Sequence, residues 1–298
     1  MSAPDGEHGT SGEHAVDGAG AGEAMATAVP HASEPHASEP QTSAPPTSDA
    51  RAVGSQTSTP QSSCAPLSTR THRWGVGAYV VVEAVFLGVS LLISVVIASE
   101  GTSVATLTLA LAVPTVLAAG TAILITYLRG NGPRTDLGLV WSWQDIRVGL
   151  AYGFGGLVVT IPASVLYVVI VGADSASSAI GEVFAGLRAG PAAAIGLLLV
   201  AVLLAPLCEE IVYRGLLWGA IEQMRVPRWA PFVVTTLLFA VAHFEFTRTP
   251  LLFVVALPIA LARLRTGRLG ASVVAHQVNN LLPGVVLTLA LLGVAPLQ

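Results

Sequence analysis

The stretch that decides the fold runs from Ala192 to Leu207, an uninterrupted apolar segment, and continues as Cys208-Glu209-Glu210-Ile211-Val212-Tyr213-Arg214. Its length reads as a membrane-spanning helix, because a span needs about 20 apolar residues. Three charged side chains then enter the same helix. Each would cost about 2.5–3.5 kcal/mol at the centre of a bilayer unless paired or put to chemical use. Glu210 and Arg214 stand four residues apart with the acid on the N-terminal side, the favoured order for an ion pair on a helix. Glu209 is turned from Glu210 by about 100°. It is therefore expected to face elsewhere and to remain free to act as a base.

The composition agrees with a membrane protein. The 298 residues are 53% hydrophobic and 11% charged, a balance that describes a polytopic chain and not a soluble domain with a large core. Residues 1–72 differ in kind, being rich in Pro, Gly, Ser, Thr and Ala, with a direct repeat at His31-Ala32-Ser33-Glu34-Pro35 and His36-Ala37-Ser38-Glu39-Pro40. They lack the apolar core of a signal peptide, and such a composition cannot bury enough surface to offset chain entropy. The expectation is a disordered tail over 1–72 followed by a membrane domain over 73–298. The two cysteines, Cys64 and Cys208, make no disulfide framework. All fourteen basic residues are arginines scattered among loops, so no nucleic-acid footprint is present.

Apolar segments place spans near 76–98, 104–128, 147–172, 191–222, 230–246, 250–264 and 270–293, an all-α bundle of seven or eight transmembrane helices. Arg70 and Arg73, then Arg129, Arg134 and Arg147, then Arg225 and Arg228, then Arg263, Arg265 and Arg268 mark alternate connections. By the positive-inside rule these are cytoplasmic, as is the N-terminus of a multi-pass cell-membrane protein. Pro206 lies inside the fourth span, where it removes a backbone donor and should distort the helix just before Glu209.

Beyond Arg73 the chain has only two histidines, each in its own apolar segment. Phe239 precedes His243 by one helical turn, and His276 precedes Asn280 by one turn. Glu209, His243, His276 and Asn280 gathered in a membrane cavity would supply a base, a held water and donors for an oxyanion, the parts needed to hydrolyse a peptide bond. The same residue types suit zinc, which binds His and Glu and activates water at an open position. The helical H-E-x-x-H signature is absent, and the residues leave both a divalent metal and a glutamate-activated water open. Cys208 beside Glu209 reads as a small buried hydrophobe and not as a nucleophile. Glu83 reads as an interhelical hydrogen-bond partner, Glu245 as facing solvent or headgroups, and Trp141 and Trp143 as interfacial anchors.

Glu209-Glu210-x-x-x-Arg214, Phe239-x-x-x-His243 and His276-x-x-x-Asn280, in this order on successive membrane helices, resemble the CPBP family. This is the CAAX-protease and bacteriocin-processing group, also called Abi, which includes the type II CAAX prenyl endopeptidases. The resemblance covers mainly residues 190–295. Arg134-Thr135-Asp136-Leu137-Gly138-Leu139 also resembles a segment found upstream in such proteins. The resemblance implies an intramembrane endopeptidase of about eight helices acting on peptide or membrane-protein substrates. Glu209 and His243 would activate water, His276 and Asn280 would hold the oxyanion, and Glu210, Arg214 and Phe239 would support them. The family is often classed with metalloproteases, while its prenyl endopeptidases have been argued to work without a catalytic metal.

Two other classes compete. A non-catalytic membrane scaffold or immunity protein would have no need of both histidines. An ion-coupled transporter also uses buried Glu and His, yet no inverted repeat is visible and the polar residues crowd into the C-terminal half.

Overall fold

The computed structural model describes residues 73–100, 102–172 and 176–294; the tail expected over 1–72 lies outside the described residues. The described chain is all-helical. Its elements are α1 (Val76–Glu100), α2 (Val104–Arg129), the single turn α3 (Pro133–Asp136), α4 (Trp143–Val171) and the short α5 (Ala179–Phe184). The long rod α6 (Pro191–Glu222) follows, then α7 (Trp229–Val241), α8 (Thr249–Thr266) and α9 (Leu269–Leu291). Among the described residues, α1, α2, α4, α6, α8 and α9 are long and apolar enough to cross a membrane, and α7 is shorter.

Local chemistry explains the boundaries. α4 starts earlier than apolarity alone predicts because Ser142 and Asp145 form a reciprocal capping box, each side chain satisfying the other's backbone N–H. Pro191 occupies the first turn of α6, where its missing donor costs nothing. α8 stops at Gly267, whose left-handed backbone turns its N–H back to the Arg263 carbonyl. The apolar side chains on the outside of α1, α2 and α4 are exposed, among them Leu91, Leu92, Leu128, Val158 and Val169. In water such a surface would be an aggregation hazard; in hydrocarbon it is the solvent-facing side.

α6 packs against α2, α7 and α9, while α4 lies across α8 and α9. Close approach there depends on glycine. A Cβ on Gly149 would come within 2.5 Å of Val274, one on Gly153 within 2.6 Å of Val278, and one on Gly156 within 2.7 Å of Pro258. Small residues at this spacing let membrane helices gain dispersion contacts that the hydrophobic effect cannot supply in lipid. Gly153→Leu is expected to destabilise the fold by about 1–3 kcal/mol through overpacking, whereas Gly155→Leu, with nothing within 4 Å, should be neutral. Thermal unfolding in detergent compares the two directly.

The Arg-rich ends meet on one face. Arg73 N–H donates to the Arg129 carbonyl, Trp74 Nε1 donates to Asp136 at 3.0 Å, and the Leu269 N–H donates to the Gly138 carbonyl. Arg268 pairs with the buried Asp145 at 2.9 Å. The Arg134–Leu139 segment thus seats Asp136 and the fully buried Leu137 against the end of α6, with Leu137 filling the space beside Gly215.

Candidate active site

α6 is not a regular α-helix. Val200–Leu204 and Ile211–Leu217 are π-helical, bracketing the α-helical turn Ala205–Glu210 that carries the carboxylates. The distortion expected from Pro206 is thus taken up as a widened turn. The Ala205 N–H reaches back five residues to the Val200 carbonyl, and π segments of this kind recur at functional sites.

Glu210 is fully buried and holds two partners with one oxygen. Arg214 Nη1 donates to Glu210 Oε1 at 3.0 Å, and His276 Nδ1 lies 3.0 Å from the same atom. A carboxylate only accepts, so His276 carries a proton on Nδ1 and Glu210 fixes the ring's orientation. Arg214 is buried too, with its guanidinium carbon 4.5 Å from the centroid of Phe239. The ring face meets a cation whose Nε and Nη2 have no hydrogen-bond partner among the described residues.

Glu209 has His276 for a neighbour. Its Oε2 lies 3.7 Å from His276 Nε2, and its side chain is 24% exposed where Glu210 is at zero. That separation is too long for a direct hydrogen bond, and a water seated beside the two atoms could contact both. One imidazole therefore stands between the two carboxylates, oriented by the buried one and facing the accessible one.

His243 departs from its expected place inside a helix. α7 ends at Val241, short of the expected 246, and His243 lies in the turn beyond it. Its Nδ1 donates to the Phe239 carbonyl at 2.8 Å, leaving Nε2 as the acceptor. The next residue, Phe244, has φ +56, a backbone conformation unfavourable for a bulky side chain. Phe239 joins the two histidines, its ring centroid 4.7 Å from that of His243 and 5.5 Å from that of His276, edge to face in both cases. Tyr213 extends the stack at 5.3 Å and is followed by Tyr79 at 5.9 Å.

Asn280 lies one turn beyond His276, with Nδ2 donating to the Ala201 carbonyl at 3.2 Å. Glu245 also departs from expectation. It pairs with Arg248 and accepts the Ala179 N–H at 3.3 Å, tying α5 to the turn that carries His243. Glu83 lies near Tyr79 and Tyr213, between α1 and α6. Sequence reading missed Trp218 and Arg263. Trp218 follows Arg214 by one turn, donates to Glu222 at 2.7 Å, and lies beneath the Arg263 guanidinium at 5.7 Å. The i, i+4 series Glu210, Arg214, Trp218, Glu222 was the available signal.

Residues 191–282 match the family model for type II CAAX prenyl endopeptidase Rce1-like proteins. This stretch is similar to the Rce1-like proteins. It opens at the first residue of α6 and ends within α9, so it contains Glu209, Glu210, Arg214, Phe239, His243, His276 and Asn280. The Rce1-like match supports a hydrolase, specifically a protease of the membrane, and agrees with the resemblance carried by those motifs. No curated protein and no solved structure matches the chain.

The fit of a metal is a question of donors. Among the described residues, no group of three or more His, Cys, Asp or Glu side chains is arranged to hold one ion. His276 Nδ1 and Glu210 Oε1 are already committed to each other.

Proposed function

We propose that this protein is an intramembrane endopeptidase in which Glu209 and His243 activate water while His276 and Asn280 stabilise the oxyanion. The observation that carries the reading is the 3.7 Å gap between Glu209 Oε2 and His276 Nε2, beside a buried Glu210 that orients the same ring. Water in that gap gives a proton to Glu209, the accessible carboxylate, and accepts orientation from the unprotonated Nε2 of His243. Its oxygen attacks the peptide carbonyl, and negative charge moves to the carbonyl oxygen. In this scheme His276 enters and leaves as the imidazolium, its Nε2–H donating to that charge while Glu210 accepts from Nδ1–H and balances the ring. The second amide proton of Asn280, the one not given to Ala201, adds a donor. Protonated Glu209 then returns its proton to the departing amine as the C–N bond breaks, which leaves a carboxylic acid and an amine and restores the base.

Peptides or membrane proteins are the substrates on this reading, and lipid is the surrounding medium. Residues 73–298 form the protease domain with residues 1–72 as an appended tail. The face on which the arginines converge is cytoplasmic, in the cell membrane, by the positive-inside rule.

The test is mass-spectrometric mapping of protein termini in native membranes carrying wild type or Glu209→Gln at matched abundance. Termini present only with wild type support the reading and name the substrate. Identical profiles overturn it and favour the scaffold. His243→Ala is expected to remove the same termini while leaving the protein in the membrane. Full retention of them would remove His243 from the mechanism.

A further inference from the structure

We infer that Asn280 is a positioning residue: it splints the broken turn of α6 ahead of Glu209, and so fixes the register between the helix carrying the carboxylates and the helix carrying His276. The inference concerns the site proposed above and adds a role for its asparagine.

The argument begins with the Ala201 carbonyl. In an α-helix its donor would be the N–H of residue 205, and in a π-helix that of residue 206. Ala205 gives its N–H to Val200, and Pro206 has none to give. Neither usual donor is available to Ala201, and a carbonyl without a partner in hydrocarbon costs several kcal/mol. Asn280 Nδ2 supplies the bond at 3.2 Å from another helix. Gln277 Nε2 adds a second link at 3.3 Å to the carbonyl of Leu203, within the same widened turn.

These contacts are ordered along the two helices. Ascending α9, His276 meets Glu209 and Glu210, Gln277 meets Leu203, and Asn280 meets Ala201. The partners descend along α6, as antiparallel neighbours require. The links on the Leu203 and Ala201 side hold α9 at the depth where His276 spans both carboxylates. A slip of one residue along the axis, about 1.5 Å, would break that alignment. The proline and the asparagine thus form one device: the first frees a carbonyl in a chosen turn, and the second reads its position.

The device predicts that Asn280 and Pro206 are energetically coupled. In the wild-type background, Asn280→Ala should lower the thermal midpoint of the full chain in detergent and slow cleavage by about 10²-fold through misplacement. Pro206→Ala returns an N–H to α6 and lets Ala201 find a partner within its own helix. In that background, Asn280→Ala should leave the thermal midpoint unchanged and cost at least about 10-fold less in kcat than in wild type, with KM unaltered in both. The substrate is a quenched peptide built on the first cleavage site obtained by terminus mapping. Equal losses in both backgrounds, about 10²–10³-fold as for a donor acting on the oxyanion alone, would overturn the inference. Thermal and exchange measurements need no cleavage, so they judge the splint even where the proposed function fails. In Asn280→Leu, which keeps a similar volume and has no donor, amide hydrogen exchange across 205–211 should accelerate. Unchanged exchange there would overturn the splint regardless of how Pro206→Ala folds.

Discussion

Glu209→Gln is expected to reduce peptide-bond hydrolysis by about 10²–10⁴-fold, the range that a positioned general base contributes, with the protein still inserted at wild-type abundance. The substitution is nearly isosteric and falls on a side chain 24% exposed that makes no short hydrogen bond, so little stability depends on it. A carboxamide can still hold water in the gap to His276 but cannot accept its proton. Single-turnover rates on purified protein at equal concentration measure the effect. A rate within a few-fold of wild type would remove Glu209 as the base.

Glu210 and Arg214 predict the opposite division between stability and catalysis. Both are wholly buried and joined at 3.0 Å, so removing either leaves an uncompensated charge, a loss of about 3–5 kcal/mol. Arg214→Met and Glu210→Leu should each sharply reduce the folded fraction, read from thermal midpoint and membrane abundance. The double substitution should recover most of the stability, since apolar groups replacing a buried pair are often neutral. Activity should not return with it. His276 would then lack the acceptor that fixes its Nδ1 proton, and both its orientation and the stabilisation of its charged form would be lost. Recovery of activity together with stability would reduce Glu210 to a structural strut.

Much of this was legible in the sequence because apolar length and arginine alternation act over whole helices. The spans at 76–98, 104–128 and 191–222 correspond closely to α1, α2 and α6. The Glu210–Arg214 pair followed from i, i+4 spacing alone. What failed was angular reasoning where the helix is irregular or ends. The helical period gave the angle between Glu209 and Glu210 but could not show that α9 brings His276 beside both. His243 was placed inside a helix because residues 242–246 are mostly apolar. The chain leaves the helix there with Phe244 at positive φ, a conformation with no signal in residue type. The widening of α6 was foreshadowed by Pro206, but its partner on α9 was visible only in three dimensions.

The brevity of α7 has a consequence for the surrounding lipid. Thirteen residues rise about 20 Å, against a hydrocarbon thickness of about 30 Å. Where α7 borders the bilayer, acyl chains must compress or tilt to meet it, a deformation costing fractions of a kcal/mol per Å of mismatch. If the end of α7 borders lipid, the turn bearing His243 would lie beneath a local depression in the membrane. A substrate helix drifting into that depression would lose hydrocarbon over its last turns before touching a catalytic group. Its backbone hydrogen bonds would open most readily there, and a scissile peptide must be extended to be cut. Helices already weakened by Gly or Pro at that depth would yield first, and on the proposed function the bilayer's thickness would act as a filter on which chains are cleaved.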